Sequence, residues 1–255
     1  MNRQRLGAAI ATIAIGSGIW GWNGSLPSWA ESLSDFQYFL ISQECNGCDL
    51  QGSVLAGMSL AGVALERANL QDADLSDTVL SNGVLRAANL TGANLQRASL
   101  TRADLTQAIF QNSQLSESSL AYADLSEANL QGADLTRAIA HEALFVEATL
   151  TDANLTDISL VEANLGRANL TNATLQRANL SYAYLTQSNL SNTDLTAANF
   201  TGARLIRAQF DGADLTDAVL RDARISRATF TNTIFCRTTM PDGSQNDRDC
   251  SEPSL

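Results

Sequence analysis

The sequence predicts an all-β solenoid, a continuous stack of coils in which each coil is built from four five-residue segments. Three observations carry this. Of the 38 multiples of five from Leu50 to Phe235, 30 are Leu, the others being Phe110, Ala140, Phe145, Phe200, Phe210, Ile225, Phe230 and Phe235. Two residues before each of these positions, 26 of the 38 residues are Ala. Neither common period fits: five residues advance about 140° around an α-helix, so the Leu would wind over every side, and odd spacing on a strand would alternate faces. A chain that turns one corner per pentad sends Leu and Ala inward and leaves two intervening side chains outside.

Exposed positions set the coil length. Every twentieth residue from Gly52 reads Gly52, Asp72, Gly92, Asn112, Gly132, Asp152, Asn172, Asn192, Gly212, Asn232, all residues that tolerate positive φ or tight turns. One corner is therefore expected to demand a turn the other three do not. A second column reads Asp77, Arg97, Glu117, Arg137, Asp157, Arg177, Ala197, Asp217, Arg237, alternating in sign almost throughout. Coils stacked at strand spacing would make it a ladder of opposite charges, each exposed pair worth about 0.2–1 kcal/mol. Both columns give 20 residues per coil. Residues 48–237 then form about nine and a half coils, a rod of about 46 Å.

The elements follow in chain order. Residues 1–30 read as a signal peptide: Arg3 and Arg5 precede an apolar run from Leu6 to Trp22, and Ser28-Trp29-Ala30 offers a cleavage site after Ala30. Glycines and a length short of the roughly 20 residues of a spanning helix disfavour an uncleaved anchor. Residues 31–47 hold a short amphipathic helix, with Ser32 or Ser34 as N-cap and Leu33, Phe36 and Leu40 on one side, followed by the Cys45–Cys48 motif. The helix should lie across the open first coil, as terminal units of a solenoid must. Residues 238–255 form the C-terminal cap and tail.

Composition narrows the chemistry. There are 27 acidic and 16 basic residues, every basic one is Arg, and the net charge is −11, so no direct nucleic-acid binding is expected. The absence of Lys removes Schiff-base and P-loop chemistry.

The pentads Ala68-Asn69-Leu70-Gln71-Asp72, Ala93-Asn94-Leu95-Gln96-Arg97 and Ala133-Asp134-Leu135-Thr136-Arg137 resemble the pentapeptide-repeat family over Cys48 to Arg237. The resemblance implies a right-handed quadrilateral β-helix. The leader, Cys45-Asn46-Gly47-Cys48, and Phe235-Cys236 followed by Met240-Pro241-Asp242-Gly243 together resemble exported members abundant in cyanobacteria, a resemblance that implies export to the periplasm or thylakoid lumen. Most of that family has no assigned activity.

Asp or Asn precedes the central residue in 17 pentads, twelve of them in the columns of Asn69 and Asp74. Side chains there can bond neighbouring backbone at a corner or stack into amide ladders. Calcium is the sharper alternative, but the Gly-rich nonapeptide pattern is missing, and no metal or cofactor is expected. Cys45 and Cys48 suit half a zinc site, a redox pair or a structural disulfide; the last is favoured, because Cys236 and Cys250 sit at the far end of a rod of about 46 Å. A Cys236–Cys250 bridge would close a loop worth about 3 kcal/mol in the chain-entropy model and fold the tail over Phe230 and Phe235.

The Leu column breaks at Ala140, and Ile158, at a normally small position one coil later, is expected to refill part of the void. Around the break Ile139, His141, Leu144, Val146 and Val161 point outward on two adjoining faces. Asp104, Asp124, Glu127, Glu142, Glu147 and Glu162 surround them, with Tyr122 within a coil. An apolar centre with an acidic rim suits a basic protein partner, and the bland reading is scattered surface aliphatics. His141 is the single histidine, and no Ser, Asp or Lys arrangement supports it as a catalyst.

Three function classes compete. A non-enzymatic exported scaffold, monomeric and free of the membrane once its leader is removed, is the expectation. The family resemblance also implies DNA mimicry, since members bind DNA gyrase; here ten acids face one Arg between Asp104 and Glu162, approaching duplex charge density over about three coils, but export argues against it. An enzyme would need a pocket that a narrow Leu-filled prism lacks.

Overall fold

The computed structural model describes residues 34–250. The leader, its cleavage site after Ala30, and Leu33 lie outside the described residues.

One pentad explains the rest. In Ala68-Asn69-Leu70-Gln71-Asp72, Ala68 and Leu70 are buried and the other three face outward. Leu70 N–H donates to Asn89 O at 2.7 Å, Asn69 N–H to Cys48 O at 2.8 Å, and Asp72 N–H to Thr91 O at 2.9 Å. Ala73 N–H closes the corner on Leu70 O at 3.1 Å. Three of the five N–H groups thus bond an adjacent coil and one bonds its own turn. The pattern recurs: each mid-face residue pairs in parallel with the residue twenty further on, from Glu44↔Ala64 to Val219↔Thr239.

The four sides of the coil are here called face I, along Ser119, Ile139 and Ser159; face II, along Asp124, Leu144 and Asn164; face III, along Asn129, Thr149 and Asn169; and face IV, along Asp134, Asn154 and Thr174.

The fifth N–H explains the Asp and Asn. Thr91 N–H donates to Asn89 Oδ1 at 3.1 Å, Thr171 N–H to Asn169 Oδ1 at 3.2 Å, and Thr196 N–H to Asp194 Oδ1 at 3.0 Å. The same side chains bridge coils, as Asn89 Nδ2 to Asn69 Oδ1 at 3.2 Å and Asn94 Nδ2 to Asp74 Oδ1 at 3.1 Å. One residue type thereby completes the pentad's backbone hydrogen bonding and adds a link between layers.

The expectation of a single special corner is corrected. The residue two after the central one has positive φ at all four corners, including Arg97 (57°), Glu117 (59°), Tyr182 (59°) and Ala197 (58°). Identical pentads stacked in register require identical corners, so every corner takes the left-handed conformation despite a cost of about 1–2 kcal/mol for a non-glycine residue. Within the Gly, Asn and Asp column, the side chain one coil below occupies the room a glycine leaves. A Cβ on Gly92 would stand 2.4 Å from Asp72 Oδ1, and one on Gly132 would stand 2.5 Å from Asn112 Oδ1. Where both residues are polar they bond instead, as Asn172 Nδ2 does to Asp152 Oδ1 at 3.2 Å.

The alternating charge column forms ion pairs, each Arg reaching back one coil: Arg97 to Asp77 and Arg177 to Asp157 at 2.7 Å, Arg237 to Asp217 at 2.6 Å, and Arg137 to Glu117 at 3.8 Å. It is a row of separate couples rather than a continuous ladder. Beside their guanidinium partners the Asp77, Asp157 and Asp217 carboxyls are held below the ordinary carboxylate range.

The interior is a column of Leu, Ala and Phe, and Ala140 and Ile158 are both fully buried within it. Most Thr and Ser in Ala positions return their hydroxyls to backbone carbonyls, as Thr78 does to Leu55 O at 3.0 Å and Ser188 to Leu185 O at 2.8 Å, while the buried hydroxyls of Ser53 and Ser118 have no described partner.

At the start, helix α1 (Asp35–Ser42) has Ser34 as N-cap with a reciprocal capping box to Gln37. Its fully buried residue is Phe39, with Leu40 beside it, while Phe36 is only partly covered. Asp35 Oδ2 accepts Asp49 N–H at 2.7 Å, fastening the helix to the first coil. Cys45 and Cys48 are bonded across a Cα separation of 5.3 Å. At the end, β1 (Thr238–Thr239) and β2 (Gln245–Asn246) make a short antiparallel hairpin, and Cys236 is bonded to Cys250. Phe210 stacks on Phe230 with centroids 5.1 Å apart, Phe230 leans on Phe235 at 5.7 Å, and the Arg248 guanidinium covers the Phe235 ring at 5.0 Å. Arg248 also donates to Thr233 O at 2.5 Å and pairs with Asp249 at 2.8 Å, so a cation held by the cap lies over the final aromatic layer.

Candidate protein-interaction surface

On face II the Asx acceptor is replaced at several mid-face positions, as it also is on face I, where Val79, Ser99, Ser119, Ile139, Ser159 and Val219 hold the middle of the face. Along the middle of face II the residues run Asp104, Asp124, Leu144, Asn164, Tyr184, Arg204, Arg224. Leu144, Tyr184, Arg204 and Arg224 replace the Asx acceptor, and among the described residues no side chain accepts the following N–H groups of Val146, Thr186, Ile206 or Ser226. These positions serve the surface instead of the backbone.

The residues expected to form the patch are distributed as follows. Leu144 is 39 % exposed, Ile139 46 % and Tyr122 49 %. Val146 and Val161 are half-buried, and Glu127, His141, Glu142, Glu147 and Glu162 are exposed. Tyr122, Leu144, Val146, His141 and Val161 share face II or its corners, whereas Ile139 lies around the corner on face I, next to Ser119 and Ser159. His141 Nε2 and Ser159 Oγ are 2.6 Å apart, so the imidazole is tied down by a hydroxyl on face I.

The acidic rim is less uniform than the chain order implies. Arg86 pairs with Asp104 at 2.6 Å, and Arg167 pairs with Glu147. Burial alone would push the Asp104 carboxyl up, but the Thr106 hydroxyl and Arg86 hold it below its ordinary value. Asp157 and Glu117 are paired on the corner between faces IV and I. Four of the ten acids between Asp104 and Glu162 are thus countered by Arg, three of these Arg coming from outside that stretch of chain. The approach to duplex charge density falls accordingly. Asp124, Glu127, Glu142 and Glu162 have no cation within ion-pair distance among the described residues, and Glu142 stands directly beneath Glu162.

A second group escapes a reading along the chain. Two to four coils further, Arg204, Arg207, Arg221, Arg224 and Arg227 gather on face II and its corners, all exposed. No described carboxylate lies within ion-pair distance of any of them. Arg204 lies over the Tyr184 ring at 4.8 Å and pairs in the ladder with Arg224, setting like charges on adjacent coils. Between the acidic and basic ends, Tyr182 and Tyr184 are 58 % and 41 % exposed. The Tyr182 ring occupies the space above Gly202, where a Cβ would stand 2.6 Å from it. Sorting Arg by column rather than by neighbourhood would have found this group: nine of the thirteen in the repeats fall on face II or its corners.

The stacked four-sided coils define a repeat solenoid whose face II carries exposed apolar and charged side chains. The pentapeptide-repeat model matches in eight copies across residues 44–82, 84–120, 113–152, 148–181, 178–217 and 198–237, and the chain belongs to that family. Among solved structures, the chain is similar to HetL, a pentapeptide repeat protein involved in heterocyst differentiation regulation from the cyanobacterium Nostoc sp. strain PCC 7120. The two are 31% identical over 78% of this chain and 91% of that one, with a TM-score of 0.53. It is also similar to QnrB1, a plasmid-mediated fluoroquinolone resistance protein, at 21% identity over 73% of this chain and 88% of that one, TM-score 0.46. A pentapeptide repeat protein from the Arabidopsis thaliana thylakoid lumen is 25% identical over 49% of this chain and 67% of that one, TM-score 0.25. No curated protein sequence matches the chain.

Proposed function

We propose that this chain is a non-enzymatic, exported scaffold of about nine and a half right-handed coils, closed by α1 and by the Cys236–Cys250 cap, whose face II receives a basic protein. The observation that carries this is the abandonment of the Asx acceptor at Leu144, where an exposed aliphatic lies between carboxylates that lack a described cation. An apolar centre with a charged rim is the anatomy of a transient protein interface. Inward positions belong to Leu, Ala and Phe, so titratable groups are confined to the surface, which supports binding over catalysis. Two disulfides suit an oxidising compartment such as the periplasm or thylakoid lumen.

The test is capture from the exported compartment with the wild-type chain and with Leu144→Asp/Val146→Asp. The double variant should keep its thermal transition and lose at least about tenfold of its bound basic protein, about 1.4 kcal/mol of binding. Capture unchanged by the substitution sinks the patch.

A further inference from the structure

We propose that face II is self-complementary and joins two copies of this chain antiparallel, the acidic end of each against the basic end of the other. The proposal rests on the reading of face II as a protein-binding surface and supplies its basic partner.

The argument begins with like charges. On the corner between faces IV and I, acid and Arg alternate coil by coil, which satisfies the charges within one rod. On face II they are sorted into blocks. The coils of Asp124 and Leu144 carry four carboxylates and no Arg on this side, only Glu147 being reached by an Arg, Arg167 of the next coil, and the coils of Arg204 and Arg224 carry five Arg against Asp222 alone. The two coils between them balance. Stacked like charges destabilise an isolated ladder, so blocks of both signs on one face call for a complement outside the chain.

A second copy provides that complement by symmetry. A two-fold axis lying across face II, midway between the coils of Asn164 and Tyr184, reverses the rod and keeps each column on its own side. Residues of one column then meet when their coils are equidistant from the axis. Asp124 faces Arg224 of the second copy, Glu127 faces Arg227, and Glu147 faces Arg207. Val146 meets Ile206, and Asn164 meets Tyr184 at the centre, where exposed aromatics contribute most. Every pair occurs twice. The outermost pairs lie about 12 Å from the axis, a distance over which twist between coils displaces them little. Six coils about 29 Å tall, with corner side chains on both flanks, bury about 1,000 Å² in total, the lower limit for a specific interface. The acidic block would repel a nucleic acid or an anionic membrane from the same face, whereas a second copy satisfies both blocks at once. The monomer expected from the sequence is replaced by a salt-sensitive dimer.

The test uses the chain as its host processes it, at tens of micromolar, followed by sedimentation velocity. In about 50 mM salt a dimer is expected, and raising salt to about 500 mM should weaken it at least tenfold. One variant, Arg207→Glu/Arg224→Glu/Arg227→Glu, and a second, Asp124→Arg/Glu127→Arg/Glu147→Arg, should each be monomeric with normal melting. Mixed in equal amounts they should form a heterodimer, because both ends are again complementary. A monomeric wild type, a dimer that survives either reversal, or a mixture that stays monomeric overturns the proposal. Should the wild type be monomeric while capture of another basic protein still depends on Leu144 and Val146, the self-association falls and the binding function stands.

Discussion

Faces III and II are made from the same pentad, and they differ in what the mid-face residue does. On face III, Asn69, Asn89, Asn129, Asn169 and Asn189 each accept the N–H two residues on, and several reach the next coil as well. On face II that work stops after Asp124, apart from Asn164, and Leu, Tyr and Arg stand in its place. Face III keeps more of these bonds, losing them at Ile109, Thr149, Gln209 and Thr229, whereas face II loses them at Leu144, Tyr184, Arg204 and Arg224 and sets exposed side chains in their place. In a solenoid whose interior is nearly invariant, function has few places to enter, and the mid-face position is the first that can be released without disturbing the core.

The comparison assumes that both faces rest on the same core, and the largest test goes there. Leu→Ala in a packed interior costs about 2–5 kcal/mol. Ile158→Ala should exceed Leu150→Ala in denaturant unfolding, because Ala140 already leaves its neighbourhood short of volume; equal costs would show the core behind face I to be packed as well as that behind face III. The second test acts on the distinction itself. Asn169→Leu should lower stability by about 1–2 kcal/mol, the value of a backbone group left without its acceptor, while Tyr184→Asn should raise it by up to about 1 kcal/mol by restoring one. If both changes destabilise equally, face II has not given up hydrogen bonding.

The third and smallest effect is electrostatic. On face IV, burial would push the Asp194 carboxyl up, but the Thr196 hydroxyl and N–H together with Gln176 hold it below its ordinary value. Asp77, Asp157 and Asp217 are lowered by their Arg partners. A depressed carboxyl contributes stability that is fully present above about pH 4, the unfolded value, and is lost as pH falls through the folded one. Thermal melts should therefore be flat from neutral pH down to about 5 and fall below about 4.

Much of this was legible in the sequence. The Leu column, the coil of twenty residues and the couples along Asp77 to Arg237 follow from arithmetic on side chains that alternate predictably. The corner conformation did not, because the Gly, Asn and Asp column suggested a local demand. Arg97, Glu117 and Ala197 take the same left-handed turn, which their side chains do not announce. Phe39 was missed as the buried residue of α1 because Leu33, Phe36 and Leu40 made an acceptable stripe, and which side meets the first coil depends on the Asp35 anchor to Asp49. The basic end of face II was missed for another reason. Arg204, Arg207, Arg221, Arg224 and Arg227 are dispersed over 24 residues and look unremarkable until folded into columns.

The twenty-residue pairing has a consequence for how such a gene can change. Each mid-face residue bonds to its counterpart one coil away, so insertion or loss of a single pentad leaves the hydrophobic interior in register and rotates everything beyond it by a quarter turn. A five-residue deletion between Asn164 and Tyr184 would carry Arg204 and Arg224 to face I while Asp124 stayed on face II. The rod would still stack, and its two charged ends would no longer look in the same direction. A twenty-residue insertion at the same place would keep both ends on face II and move them one step further apart, leaving the two-fold relation intact with one more neutral layer at its centre. Length in this protein is therefore counted in two currencies: pentads, to which folding is indifferent, and whole coils, which alone preserve the surface.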